Sequence, residues 1–139
     1  RLFQVNALIP LLWVKHLLPL LKGRERCVLL VFSARVGSIA DNRRGGWYGY
    51  RGSKAALNMM LKSAALEYRR RAGNVELLVF HPGTTDTPLT RPFQHSVPRE
   101  QLFSPDFVAE RVLQVIETPT GDEEHPPRFL DWDGQVIPW

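Results

Sequence analysis

The 139-residue chain is 44% hydrophobic and 23% charged, a globular balance that excludes the charge-heavy, apolar-poor composition of a disordered segment. Its net charge is +4, but Arg24, Arg43, Arg44, Arg51 and Arg69 to Arg71 are scattered and build no long basic tract, which argues against nucleic acid as a partner. Cys27 is the single cysteine, so no internal disulfide or thiolate metal cluster is available, no metal site is expected, and a reducing cytoplasm fits.

Leu2 to Lys22 reads as one apolar helix, with Leu8, Leu11, Leu12, Lys15, Leu18 and Leu21 at partly helical spacing. Pro10 and Pro19 each remove a backbone donor, which predicts a kink at the first, a frayed end at the second and a stop near Gly23. Lys15 and His16 interrupt the apolar run before about 20 residues accumulate, so no membrane span is expected. Nor is there the basic start and small-residue cleavage site of a secretory signal.

CVLLVF, from Cys27 to Phe32, has the length and valine content of a strand buried on both faces. Gly37, Asp41, Asn42, Gly45 and Gly46 supply turn chemistry between Ser33 and Trp47. A long helix follows from Tyr48 to Ala72, ended by Gly73 and Asn74. A second apolar strand, Val75 to Phe80, stops at His81, Pro82 and Gly83. Helix, strand, helix, strand is the order of an α/β fold with parallel strands and right-handed crossovers.

Pro82 to Phe103 has the length of a lid or binding loop. Ser104 and Pro105 read as the cap and first position of a helix reaching Glu117. TPTGDEEHPP, from Thr118, reads as a polar surface loop, and Arg128 to Leu130 as a last short strand. The closing DWDGQVIPW is expected to pack back on the body through its two tryptophans and Ile137.

Tyr50 and Lys54 lie four apart at the start of the long helix and therefore share one face. A free phenol titrates near about 10; a neighbouring ammonium favours the phenolate and lowers that value, which would tune Tyr50 as a general acid/base. Such a pair is common on ordinary helices, but here it is flanked by strands ending in Ser33 and in Pro82 and Gly83. Ligands of open α/β sheets bind on that rim, outside the carboxyl ends of the strands.

With these residues in view, the chain resembles the short-chain dehydrogenase/reductase family, in its branch of carbonyl reductases similar to sniffer and C-factor. The likeness runs through VNALIP, SARVGSIADN, GGWYGYRGSKAALNM, HPGTTDTPLT and FLDWDGQVIPW. It implies an NAD(P)-dependent oxidoreductase acting on a small-molecule carbonyl, with NADP slightly favoured over NAD, and a homodimer or homotetramer in full-length form. Tyr50 matches the proton donor, Lys54 the residue that lowers its pKa and bonds the nicotinamide ribose, and Asn6 the holder of a relay water. Pro82 and Gly83 match the strand-end signature, and Thr85 and Thr87 match positions contacting the nicotinamide carboxamide.

The family ends this strand in two serines, the second catalytic, whereas here Ser33 is followed by Ala34. Ser33 is preferred as the remaining hydroxyl, and Ser38 is held open. His81 and His16 read as strand-end and helix-surface residues. The serine hydrolase reading fails for want of a G-x-S-x-G elbow.

The expected architecture is the C-terminal, catalytic part of a Rossmann-like doubly wound sheet, residues 1–139, without its first strands and glycine-rich turn. Such a fragment is expected to be inactive, and to be unstable or to associate. The competing reading is a non-catalytic interaction or signalling protein on the same fold.

Overall fold

In the computed structural model, which describes residues 1–118 and 127–139, three parallel strands form the centre. They are β1 (Cys27–Phe32), β2 (Val75–His81) and β5 (Phe129–Asp131), in the order β1-β2-β5. Register runs from Cys27 opposite Val75 to Phe32 opposite Phe80, and from Val79 opposite Phe129 to His81 opposite Asp131.

Side chains alternate across this sheet, and both sides are apolar because both are covered. Leu77, Val79 and Phe129 face one way, onto Val14 and Leu18 of α1 (Ile9–Leu21) and Leu57, Leu61 and Tyr68 of α2 (Tyr48–Arg71). Leu78, Phe80 and Leu130 face the other way, onto Val108 and Val115 of α3 (Pro105–Glu117). Each such fully buried side chain is worth about 1.5–3 kcal/mol, so helices on both faces are what allow the continuous apolar strands. This is the doubly wound parallel α/β arrangement expected from the sequence.

The first helix begins with a π-helical turn, Gln4–Leu8, in which the Ile9 amide reaches the Gln4 carbonyl. Pro10 has no N–H to offer the carbonyl of Asn6, which accounts for a departure from α-helical register here. Pro19 does not fray the end as expected: α1 continues through it to Leu21, and the Lys22 amide still bonds the Leu18 carbonyl at 3.1 Å. Tyr68 ties the helix down by donating its hydroxyl to the Val14 carbonyl at 2.5 Å.

Only 11% of the run Gln4–Leu21 is buried, and its mean hydropathy of 1.3 makes it long and apolar enough to cross a membrane by length and composition. Lys15 and His16 do not bring it below that level. In the fold it is the helix that covers one sheet face, through Ala7, Val14 and Leu18.

Ser104 caps α3 as expected, its Oγ accepting from the Phe107 amide at 3.1 Å. The loop after β2 is more ordered than its composition implies. It holds a short parallel pair, β3 (Thr84–Thr85) with β4 (Leu102–Phe103), and two 3-10 turns, Arg91–Ser96 and Arg99–Gln101. The polar loop expected after Thr118 lies largely outside the described residues. The C-terminus folds back as expected: the Ile137 amide bonds the Phe129 carbonyl at 2.7 Å, and Trp139 lies 5.6 Å from the Phe129 ring.

Candidate active site

The carboxyl ends of β1, β2 and β5 lie side by side and are tied to each other. The Ser33 amide bonds the Phe80 carbonyl at 2.7 Å. Arg35, just past β1, donates to Asp131 at the end of β5 at 2.6 Å, and Asp131 also accepts from the Asp133 and Gln135 amides at 3.0 and 2.9 Å. His81 stands opposite Asp131 in the register, with its Nδ1 buried and without a hydrogen-bond partner.

The turn after β1, Arg35–Gly37, presses on α2 at Lys54. This helix starts without a side-chain cap. The chain enters it through left-handed Gly45, Gly46 and Trp47, with Asn42 Oδ1 accepting from the Gly45 amide at 3.1 Å and Arg51 Nε donating to the Gly45 carbonyl at 3.0 Å.

On the first turns of α2, Tyr50, Lys54 and Asn58 recur at helical spacing toward the end of β1. Lys54 Nζ lies 3.4 Å from the Phe32 carbonyl oxygen, and Asn58 meets Ser33. Tyr50, on the same helix one turn before Lys54, keeps 38% of its surface exposed.

Burial raises the Tyr50 pKa above the ordinary phenol value and lowers that of Lys54. The first direction reverses the expectation of a phenol depressed by Lys54. Partial desolvation favours the neutral form of each group, and the ammonium is directed at the Phe32 carbonyl. The phenol is therefore protonated at neutral pH.

Asn6, in the π-helical turn, donates to Ser53 Oγ at 3.0 Å, and Ser53 donates in turn to the Tyr50 carbonyl at 2.8 Å. A polar chain thus links Asn6 to the backbone carrying the phenol.

Neither candidate serine has a free hydroxyl proton. Buried Ser33 donates to Asn58 Oδ1 at 2.5 Å. Buried Ser38 donates to the Pro138 carbonyl at 2.5 Å and accepts from the Asp41 amide at 3.0 Å. Ala34, extended and buried, occupies the intervening position.

Beyond β2, Pro82 leads into Gly83 at φ +73, where a Cβ would come within 2.6 Å of the Phe103 ring. The glycine is required both by its backbone and by the aromatic cluster of Phe103, Phe107 and Trp132 beneath it. Thr85 Oγ1 is buried without a partner. The Thr87 carbonyl accepts from the Thr90 and Arg91 amides at 3.0 and 3.2 Å, and Thr90 Oγ1 donates to the Thr85 carbonyl at 2.5 Å.

Asn58, Thr90 and Arg35 were not singled out from sequence. Asn58 carried a signal, being a polar residue one turn beyond Lys54 on a face otherwise buried by leucines.

A parallel α/β sheet with a tyrosine and a lysine one turn apart on one helix, the lysine reaching the carboxyl end of a central strand, defines a class of protein. The model of the short chain dehydrogenase family matches residues 1–97, and the chain belongs to that family. It is 41% identical over 140 residues to C-signal of Myxococcus xanthus, covering 100% of this chain and 77% of that protein.

Among solved structures it is similar to the carbonyl reductase Sniffer of D. melanogaster, with a TM-score of 0.79 and 25% identity. It is likewise similar to the NADPH-bound carbonyl reductase from chicken fatty liver, with a TM-score of 0.80 and 26% identity. Each match covers 99% of this chain but 55% of the solved one. The chain spans the C-terminal portion of these longer relatives.

Proposed function

We propose that the chain is the catalytic portion of an NAD(P)-dependent oxidoreductase that interconverts a small-molecule carbonyl and its alcohol. The observation that carries this reading is the stripe of Tyr50 and Lys54, one turn apart on α2, with the ammonium 3.4 Å from the Phe32 carbonyl at the end of β1.

A nicotinamide fits the residues present. Thr85 Oγ1, buried and unpartnered, is free to bond a carboxamide, with Gly83 and Thr87 on either side of it in the chain. Lys54 would hold the ribose. The NADPH-bound relative favours NADP. When bound, the reduced nicotinamide supplies a hydride to the carbonyl carbon.

The chain's own residues supply the rest. Tyr50, protonated at neutral pH as any phenol titrating near about 10 is, donates its proton to the carbonyl oxygen. Asn6, through Ser53, fixes the helical turn that carries the phenol and stands where a relay water would be held. Ser33 and Ser38 hold the strand end and the C-terminal segment in place rather than donating to the substrate.

Pyrophosphate needs a glycine-rich strand-turn-helix, and none is found among the described residues. The 139-residue chain is accordingly expected to show no measurable NADPH binding by calorimetry. In a longer form carrying such a unit ahead of Arg1, Tyr50→Phe should lower carbonyl turnover by roughly a hundredfold or more while NADPH binds within twofold of the parent. Retained turnover would overturn the assignment.

A second reading, an interaction or signalling protein, draws on the name of C-signal and on the exposed apolar helix at the N-terminus. Absence of turnover in the longer form, together with intact partner binding, would favour it.

A further inference from the structure

Residues 136–139 form no helix, yet each is tied to another part of the fold. Val136 bridges Leu130 in antiparallel sense. Ile137 is fully buried, with its amide on the Phe129 carbonyl at 2.7 Å. The Pro138 carbonyl accepts from the Ser38 hydroxyl at 2.5 Å, and the Trp139 carbonyl from the Ala40 amide at 3.2 Å. The Trp139 ring lies 5.6 Å from that of Phe129, and the Lys62 ammonium stands over it at 5.2 Å. The segment thus reaches from β5 to the loop after β1 and on to α2.

That loop is the one that bears on Lys54. Ser38 and Ala40 follow directly on the Arg35–Gly37 turn, and Gly37 is seated so closely on the Lys54 backbone that a side-chain carbon would clash there. Apolar packing does little to hold the loop, for Ile39 points outward at 75% exposure. Polar ties hold it instead: Arg35 donates to Asp131 at 2.6 Å and to Asp41 at 3.2 Å, and residues 136–139 supply the Pro138 and Trp139 carbonyls. Lys62 lies eight residues beyond Lys54 on α2, so one helix meets the loop at Lys54 and the segment at Lys62.

Resting on the reading of Lys54 as the residue that holds the ribose, we propose that residues 136–139 are a strap that positions Lys54. By holding Ser38 and Ala40, the strap seats the Arg35–Gly37 turn on the helix and so keeps the ammonium at the Phe32 carbonyl, 3.4 Å away. Trp139 and Ser38 are positioning residues, acting through the turn. The Trp139 ring is the fastening, because a cation over its face and a second ring beside it anchor the carbonyls that the loop uses.

The test reads Lys54 in the 139-residue chain by the pH dependence of its acetylation, followed on its peptide by mass spectrometry. Burial holds the Lys54 pKa below the ordinary lysine value, so an ammonium released from its seat gains water and titrates higher. Trp139→Ala and Ser38→Ala should each move the midpoint upward, and hydrogen exchange over residues 38–41 should quicken by about tenfold. Trp139→Phe, which keeps a ring against Phe129 and Lys62, should hold the parent's midpoint. Val115→Ala loosens α3 on the other face of the sheet and should leave the midpoint where it was.

An unmoved midpoint in both Trp139→Ala and Ser38→Ala would overturn the strap, as would an equal shift in Val115→Ala, which would mark general loosening. Neither readout involves cofactor or turnover. The strap can therefore fail while Tyr50 keeps its role in the longer form, and retained turnover in Tyr50→Phe leaves the Lys54 midpoints as they are.

Discussion

A side-chain carbon on Gly37 would sit 2.7 Å from the backbone carbonyl carbon of Lys54 and 2.8 Å from its Cβ, closer than side-chain carbons pack. The turn after β1 therefore lies directly on the backbone of the residue whose ammonium reaches the end of that strand. Gly37 has no positive φ; close approach, and not turn chemistry, makes it glycine.

Gly37→Ala must then push α2 away at Lys54. Overpacking of this kind costs about 1–3 kcal/mol, and urea denaturation of the variant should show a loss in that range. An unchanged midpoint would mean that the turn and helix slide apart freely.

His81 is held neutral, its pKa pushed down to about 4 chiefly by burial and secondarily by Arg35, against the opposing pull of Asp131. Its folded pKa lies below the unfolded value near 6.5, so the unfolded chain binds the extra proton between these limits. The contribution to stability is complete above pH 6.5 and is lost as pH falls toward 4, by about 3 kcal/mol in all. Denaturation midpoints at pH 7 and pH 4.5 should differ less for His81→Asn than for the parent, and equal pH slopes would refute the assignment.

The order of elements was legible because both-sided burial leaves continuous apolar strands, and because Ser104 and Pro105 announce α3 through a local hydrogen bond. What escaped depends on tertiary placement. The start of α2 shows no cap residue, since Trp47 enters it in a left-handed turn. Of the site, sequence gave the Tyr50 and Lys54 spacing, but the sign of the Tyr50 shift follows from desolvation, which spacing does not encode. Where the Ser33 hydroxyl points is decided by Asn58, eight residues beyond Tyr50, and the pairing of Thr84–Thr85 with Leu102–Phe103 closes over too long a loop for periodicity to reveal.

Ser33 and Ala34 separate structure from chemistry. Ser33→Ala would leave the buried Asn58 oxygen without its donor, costing about 1–3 kcal/mol with little effect on carbonyl turnover per folded molecule. Ala34→Ser would place a hydroxyl where the family's second serine stands. In a longer form able to bind NADPH, turnover should rise by roughly tenfold or more. A fall in stability with no gain in turnover would show that the Ala34 methyl is needed for packing alone.

Leu8, Ile9, Leu12 and Trp13 are 44% to 64% exposed on consecutive turns of the first helix, and Ile9, Leu12 and Trp13 line a shallow apolar depression with His16. Beside them β1 has a strand partner on one edge only, among the described residues. Apolar faces and open edges of this kind drive association, so the 139-residue chain should sediment as a self-associating species at micromolar concentration. Because these side chains do not support the core formed by Ala7, Val14 and Leu18, Leu12→Glu with Trp13→Glu should return it toward monomer without altering its circular dichroism. If the variant keeps the parent's mass distribution, the helix face is not the contact, and the open edge of β1 is the surface that remains to be blocked.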